Sequence, residues 1–387
     1  MTRTLKTARH LWIMLAVLGS GWLLSSVTGI DSVTHSPAYP LIISALLAIG
    51  LYGSTSGIDL AEAQGDLRTL LLAVTVGVLA KAALIAPVLW LAAGQPAYMI
   101  LAVTVAQIDP LSVAALRSRS RMSERGKAVL SIWSSFDDPV TILLTAYLAP
   151  VALNALDATT TASALPVSPT AYALTTAGNA GLVAAAGLVW FLLRRGGRPD
   201  SPLRTLACLL ALCGLLAAAS VYGLMLGVAV MGLFYRPRPL LPALGLLLRA
   251  AYYSALFALG MLLLDGVEPV PGIALGVAAF GAQMAVGWVI AHDLDRFDRV
   301  SLALGQQNGV TAVILALALK PAFPRTVAIV APAIVVVNVL HFAANELWTR
   351  RQPPPVEPDR DKDGRRDGRS AVPGRHSAAV DLLVPGQ

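Results

Sequence analysis

Charge is scarce in this 387-residue chain: Asp, Glu, Lys and Arg together make up 13% of it, against 56% hydrophobic residues, and mean hydropathy is +0.69. So little charge cannot solvate the surface of a soluble enzyme of this length, and that class is excluded. Cysteine is nearly absent too. Cys208 and Cys213 fall in one predicted helix, about 140° apart around its axis, so they are not placed to pair and read as small core residues. Nucleotide-binding glycine motifs, clusters of metal-ligating residues and nucleophile constellations are missing as well. No cofactor and no enzymatic activity are therefore expected.

What is there instead is apolar sequence in repeated lengths. About a dozen stretches recur, at 11–28, 39–53, 67–93, 98–116, 127–148, 171–193, 203–220, 221–235, 240–264, 270–291, 300–319 and 326–348. About 20 helical residues match the hydrocarbon thickness of a bilayer. The chain reads as an all-α polytopic membrane protein, with the lipid bilayer as its solvent. An even number of spans puts both termini on one side, and the basic residues choose the side. Arg3, Lys6 and Arg9, the cluster Arg117, Arg119, Arg121, Arg125 and Lys127, then Arg194, Arg195 and Arg198, Arg236 and Arg238, and Arg296 and Arg299 share one face. The opposite connections 29–38, 94–97, 150–170 and 265–269 carry no Lys or Arg; Lys320 and Arg325 are the exceptions. The positive-inside rule then predicts cytoplasmic termini in a cell-membrane protein. The first stretch resembles a signal-peptide core, but removing it would spoil the alternation, so it is expected to stay as a span.

The net charge of +7 comes largely from these loops and from the tail, and a nucleic-acid partner has no support. From Arg350 the composition turns to RRQPPPVEPDRDKDGRRDGRS, with almost nothing to bury. The expected division is a transmembrane domain over 1–349 and a disordered cytoplasmic tail over 350–387.

The informative residues are those that are unfavourable in lipid. A charged side chain at mid-span costs about 2.5–3.5 kcal/mol on insertion scales, and such residues face a cavity or a partner and mark ion or proton paths. Asp109, Asp137, Asp138 and Lys81 qualify. Asp109 lies in AVTVAQIDPLSVAAL. There Pro110 lacks an N–H and its ring clashes one turn back, near Ala106, so the fourth span must kink or open. Freed carbonyls beside a carboxylate offer hard oxygen ligands to a small cation. The eleventh span holds a second candidate break, Gly305, Gln306, Gln307, Asn308 and Gly309 in SLALGQQNGVTAVILALAL. The two spans run in opposite directions, and paired interruptions of that kind point to an inverted-repeat transporter with its site at the midplane. Asp137 and Asp138 are about 100° apart on their helix, so one can meet Asp109 while the other looks elsewhere. A proton or a cation can neutralise such a carboxylate, and their competition for one site is the basis of antiport.

These segments resemble the monovalent cation/proton antiporter superfamily, in order along nearly all the spans. GLYGSTSGIDLAEAQGDLRTLL is similar to the family's loop after the early helices, with Asp59 in its aspartate position. AVTVAQIDPLSVAAL resembles its Ala-Thr-Asp-Pro segment, and LSIWSSFDDPVTILL its Glu-Ser-x-x-Asn/Asp-Asp segment. VYGLMLGVAVMGLF and LALGQQNGVTAVILALAL resemble two later helices. The resemblance implies an inverted-repeat fold with two crossing broken helices, a core of spans three to five and ten to twelve, and a scaffold that forms a homodimer. It implies exchange of a monovalent cation, Na+ or K+, for protons by alternating access. Asp138 takes the place of the ion- and proton-binding aspartate, Asp109 that of the broken-helix aspartate, and the cation is expected at Asp138 and Asp109.

Asp137 occupies the position that is Asn in the electroneutral branch and Asp in the electrogenic one, which implies two-proton exchange. Gln107, Ser134, Gln307, Asn308 and Lys81 are expected in support. The chain departs from the pattern at Ile108, in place of threonine, at Trp133, in place of glutamate, and at Asn308, in place of arginine. The lysine of the electrogenic branch has no counterpart in the tenth span, where Gln283 is the nearest polar residue. Lys81 on the third span could compensate an aspartate or snorkel, and Asp137 could pair with it or with a helix end. GQQNG is also similar to the Gln-Asn crossing helix of the bile-acid/sodium symporters, which leaves sodium-coupled organic-anion symport as an alternative. A transport-inactive sensor or scaffold is the other.

Overall fold

The computed structural model describes residues 2–29, 33–58, 71–110, 112–113, 122–154, 169–195, 201–237, 240–307 and 309–351. Asp59, Asn308, Arg117, Arg119, Arg121, Arg198, Arg238 and the tail beyond Arg351 lie outside the described residues. Met1–Glu346 forms one unit, and of the other, Leu347–Gln387, only the end of the last helix is described.

The apolar stretches fold as helices because a bilayer offers backbone groups no partner other than each other. In chain order these are α1 (Thr2–Thr28), α2 (Ala38–Ser56), α3 (Val78–Ala93), α4 (Ile100–Thr104), α5 (Glu124–Asn154), α6 (Pro169–Arg195), α7 (Pro202–Tyr222), α8 (Met225–Phe234), α9 (Leu241–Met261), α10 (Pro269–Ile290), α11 (Arg296–Ala303), α12 (Val310–Leu319) and α13 (Thr326–Arg350). Among the described residues, nine helical segments are long and apolar enough to cross a membrane. The three expected spans outside that set are the fourth, eighth and eleventh. The fourth and eleventh are interrupted. The eighth is short: Gly223, at φ +69°, ends α7 at Tyr222, and α8 keeps only ten residues of the expected 221–235.

Span three begins with a π-helical turn, Ala73–Gly77, that widens the helix just before α3. α3 packs along α10, and α2 touches α5, α7, α8, α9 and α12 from the centre of the bundle. Cys208 is buried and Cys213 exposed, both unpaired, so only one of the two is a core residue. The exceptions to the charge alternation are locally neutralised. Lys320 Nζ lies 2.5 Å from Asp265, and Arg325 forms a two-pronged pair with Glu268, Nε to Oε1 at 2.6 Å. The Glu268 carboxylate raises the Arg325 guanidinium further above its ordinary range. Arg325 also stacks 5.0 Å over Tyr98 and donates to the Ala93 carbonyl at 3.2 Å, so it joins the ends of spans three, four, ten and twelve.

α1 packs closely along α9. A Cβ on Gly260 would meet the Leu18 carbonyl, and one on Gly21 the Phe257 carbonyl, whereas one on Gly19 would meet nothing within 4 Å. Small residues bring helices this close in lipid. Gly260→Ala should therefore destabilise the protein by about 1–3 kcal/mol, the range for overpacking, while Gly19→Ala stays within about 0.5 kcal/mol. Thermal unfolding of the two detergent-solubilised variants checks both.

Candidate functional site

The two interrupted spans meet at their breaks. α4 ends at Thr104 and helical structure resumes at Pro110; α11 ends at Ala303 and α12 starts at Val310. Ile108 and Gln307 form an antiparallel bridge, and the Asp109 N–H donates to the Gln306 carbonyl at 2.7 Å. Each opened stretch thus supplies backbone partners to the other, as extended peptide at membrane depth requires. The nearby polar side chains complete the pairing. Gln107 Nε2 donates to the Thr104 carbonyl at 3.1 Å, Thr141 of α5 donates to Gln107 Oε1 at 3.0 Å, and Gln283 of α10 donates to the Leu302 carbonyl at 3.2 Å.

Asp109 serves as cap to the second half of its own span. Its Oδ2 accepts the Ser112 N–H at 3.1 Å and the Ser112 hydroxyl, while Pro110 takes the first helical position. A Cβ on Gly309 would run into the same carboxylate, so Asp109 lies between two helix N-termini, its own and that of α12. Both dipoles favour negative charge there.

Asp138 is 2% exposed and lies near Asp109. The hydroxyls of Thr311 on α12 and Ser54 on α2 face its carboxylate, and Ser54 also donates to the Ser135 carbonyl at 3.2 Å. Its neighbour looks the other way. Asp137 Oδ2 accepts from Lys81 Nζ at 2.7 Å and from the Ile108 N–H at 3.0 Å, with both side chains of the pair fully buried. Of the alternatives the sequence left for Asp137, the structure shows the pairing with Lys81.

The expected supporting residues divide. Gln107 and Lys81 are at the crossing, bonded as described. Gln307 Nε2 reaches Gln283 Oε1 at 3.5 Å, and its Oε1 is buried with no hydrogen-bond partner among the described residues. The Ser134 hydroxyl turns back to the Ser131 carbonyl of its own helix at 2.9 Å. Asn308 is not described. Sequence reading missed Ser54 and Thr311; Thr311 is the one hydroxyl of the apolar α12, while Ser54 belongs to the Ser54-Thr55-Ser56 run that ends α2. It also missed Asn338 of α13, which accepts from Gln306 Nε2 at 2.8 Å.

Solved proteins share this architecture. Two structures of the sodium proton antiporter MjNhaP1 from Methanocaldococcus jannaschii match it. One, at pH 8, has a TM-score of 0.54 at 17% identity over 88% of this chain and 97% of that one; the other, an electron-microscopy map, has 0.59 at 17% over 88% and 92%. The chain has the sodium proton antiporter fold. No protein-family model matches the sequence, and neither does any curated protein. The antiporter fold is thus reached here with little sequence likeness, and the expectation of two crossing broken helices is met.

Within this antiporter fold, the Lys81–Asp137 pair makes a direct stability prediction. Lys81→Met strands the Asp137 charge among apolar neighbours and should destabilise the protein by about 3–5 kcal/mol. Gln283→Ala removes a neutral hydrogen bond and should cost about 1 kcal/mol. Thermal midpoints of the purified variants give the ranking.

Proposed function

We propose that the protein is a secondary transporter that exchanges a monovalent cation, Na+ or K+, for protons across the cell membrane by alternating access, with both termini in the cytoplasm. The observation that carries this reading is the buried Asp138 carboxylate at the crossing of two broken helices, beside Asp109 and two hydroxyls. Carboxylate, hydroxyl and carbonyl oxygens are hard ligands suited to alkali cations. The likeness to a sodium proton antiporter adds support from the fold.

The coupling follows from electrostatics. An ionised carboxylate sealed from water without a counter-charge is unfavourable by several kcal/mol, so the site changes its access far more readily when neutralised. Either one proton or one cation on Asp138 achieves this. The two cannot share the same oxygens, so loading one releases the other, and each crossing of the membrane carries one of them. Asp109 contributes a second carboxylate whose charge two helix dipoles hold in place. Asp137, the third candidate, is turned toward Lys81 and Ile108 instead.

Purified protein in liposomes, with internal pH followed while Na+, K+ or Li+ is added outside, should show a cation-dependent pH change. Asp138→Asn, which retains the shape but not the charge, should lower the exchange rate at least about a hundredfold, the size of effect that follows loss of an essential charged group. Asp109→Asn preserves the cap, since Asn caps as well as Asp, and should fold normally yet exchange poorly. A wild type that shows no pH change under either gradient direction would refute antiport. Cation-driven uptake of an organic anion in its place would establish symport. A reporter fused after Arg351 should be active only on the cytoplasmic side.

A further inference from the structure

Resting on that exchange reading, we infer that Lys81 is a positioning residue whose pair with Asp137 stays closed through the transport cycle, so that one cation is exchanged for one proton with no net charge moved. The geometry of the pair carries this. Lys81 Nζ lies 2.7 Å from Asp137 Oδ2, and neither side chain has any exposed surface. That same Oδ2 accepts the Ile108 N–H at 3.0 Å, in the break of the fourth span. The ammonium also sits 5.1 Å from the centre of the Trp133 ring, one turn before Asp137 on α5 and itself fully buried. The ring packs beside Gly77 at the end of the π-helical turn Ala73–Gly77, where a Cβ would stand 2.9 Å from Ile290 and in ordinary contact, 3.4 Å, with the edge of the indole. A cation in contact with both a carboxylate and an indole face is doubly stabilised.

Opening the pair would leave two charges without water. Movement of Asp137 would also free the Ile108 N–H at membrane depth, and movement of Lys81 would take the cation from the Trp133 face. Asp138 needs none of this to take its ligand. It is about 100° further round α5 and faces Thr311 of α12 and Ser54 of α2. The charge count is then simple. Lys81 and Asp137 contribute +1 and −1 in every state. Asp138 carries one cation in one direction and one proton in the other, and the sum over a cycle is zero. Had Asp137 released Lys81 to carry a second proton, each cycle would transfer one net charge. The adjacent carboxylates imply two-proton exchange only when the basic partner of Asp137 lets go, and here that partner is fully buried against both Asp137 and Trp133.

The test is the full chain in proteoliposomes, with internal pH and transported charge recorded after a Na+ or K+ jump, charge being read on a supported membrane. The expected result is a cation-driven pH change with no sustained charge movement. Lys81→Gln alone should lower exchange at least about tenfold because it strands a buried charge, whereas Lys81→Gln combined with Asp137→Asn, an uncharged pair, should recover to within about tenfold of wild type and remain electrically silent. Lys81→Arg should exchange without charge movement as well. A sustained net charge of one for every two protons exchanged in the wild type would overturn the inference while leaving the exchange reading intact. A double variant that turned a charge-moving exchange into a silent one would do the same. Vesicles with neither a pH change nor a charge signal would overturn the exchange reading itself. Should the double variant fail to fold, the wild-type charge measurement decides alone.

Discussion

Backbone groups freed inside a bilayer must find partners within the protein, and the organisation of this molecule follows from how two breaks meet that demand. Neither break could stand alone. The Asp109 N–H bonds to the Gln306 carbonyl and Ile108 bridges to Gln307, so the fourth and eleventh spans close each other. What they cannot close, side chains do: Asp137 takes the Ile108 N–H, Asp109 caps at Ser112, Gln107 takes the Thr104 carbonyl, and Gln283 the Leu302 carbonyl. Asp137 and Asp109 are therefore partly structural. The Asp138 carboxylate faces hydroxyls rather than a freed peptide group.

The helices that precede the two breaks, α3 and α10, lie against each other, and each sends one polar side chain to the crossing. From α10 it is Gln283, which reaches the eleventh-span break directly and meets Gln307. From α3 it is Lys81, which reaches the fourth-span break through Asp137. One half of the structure is thus held by neutral amides and the other by an ion pair. The difference matters because desolvated charges are rigidly placed or not tolerated at all, while amides can re-pair at small cost. Asymmetry of this kind fixes one broken span more firmly than the other.

Much of this was legible in the sequence. Pro110 and the GQQNG run marked both breaks because proline and clustered glycine and amide residues are misfits in a lipid-facing helix. The carboxylates announced themselves by their cost at membrane depth. Helical periodicity also required Asp137 and Asp138 to face different ways. It could not name the partners, since the spacing along one helix says nothing of which other helix lies opposite. Lys81 is 56 residues from Asp137, and the sequence could only leave its pairing open beside snorkelling. Ser54 and Thr311 were invisible for the same reason. Span eight was overestimated because apolar residues continue through Gly223, where the backbone turns left-handed and α7 stops. Cys213 was taken for core because composition does not distinguish a core-facing from a lipid-facing helix side.

The position of the breaks along their spans also sets the depth of the site. α12 has ten residues, which at about 1.5 Å each is about 15 Å, half of a hydrocarbon core about 30 Å thick. Its N-terminus, at the crossing, is then close to mid-depth while its far end reaches the loop held by Lys320 and Arg325. An unbroken span could bring a carboxylate to the same depth, but it would offer no helix termini there. Cutting both spans near the middle places two N-terminal dipoles on Asp109 at a point about equally far from either water phase. At the same depth the α2 face brings Ser54 against Asp138, so the carboxylate with no dipole of its own is met by a hydroxyl.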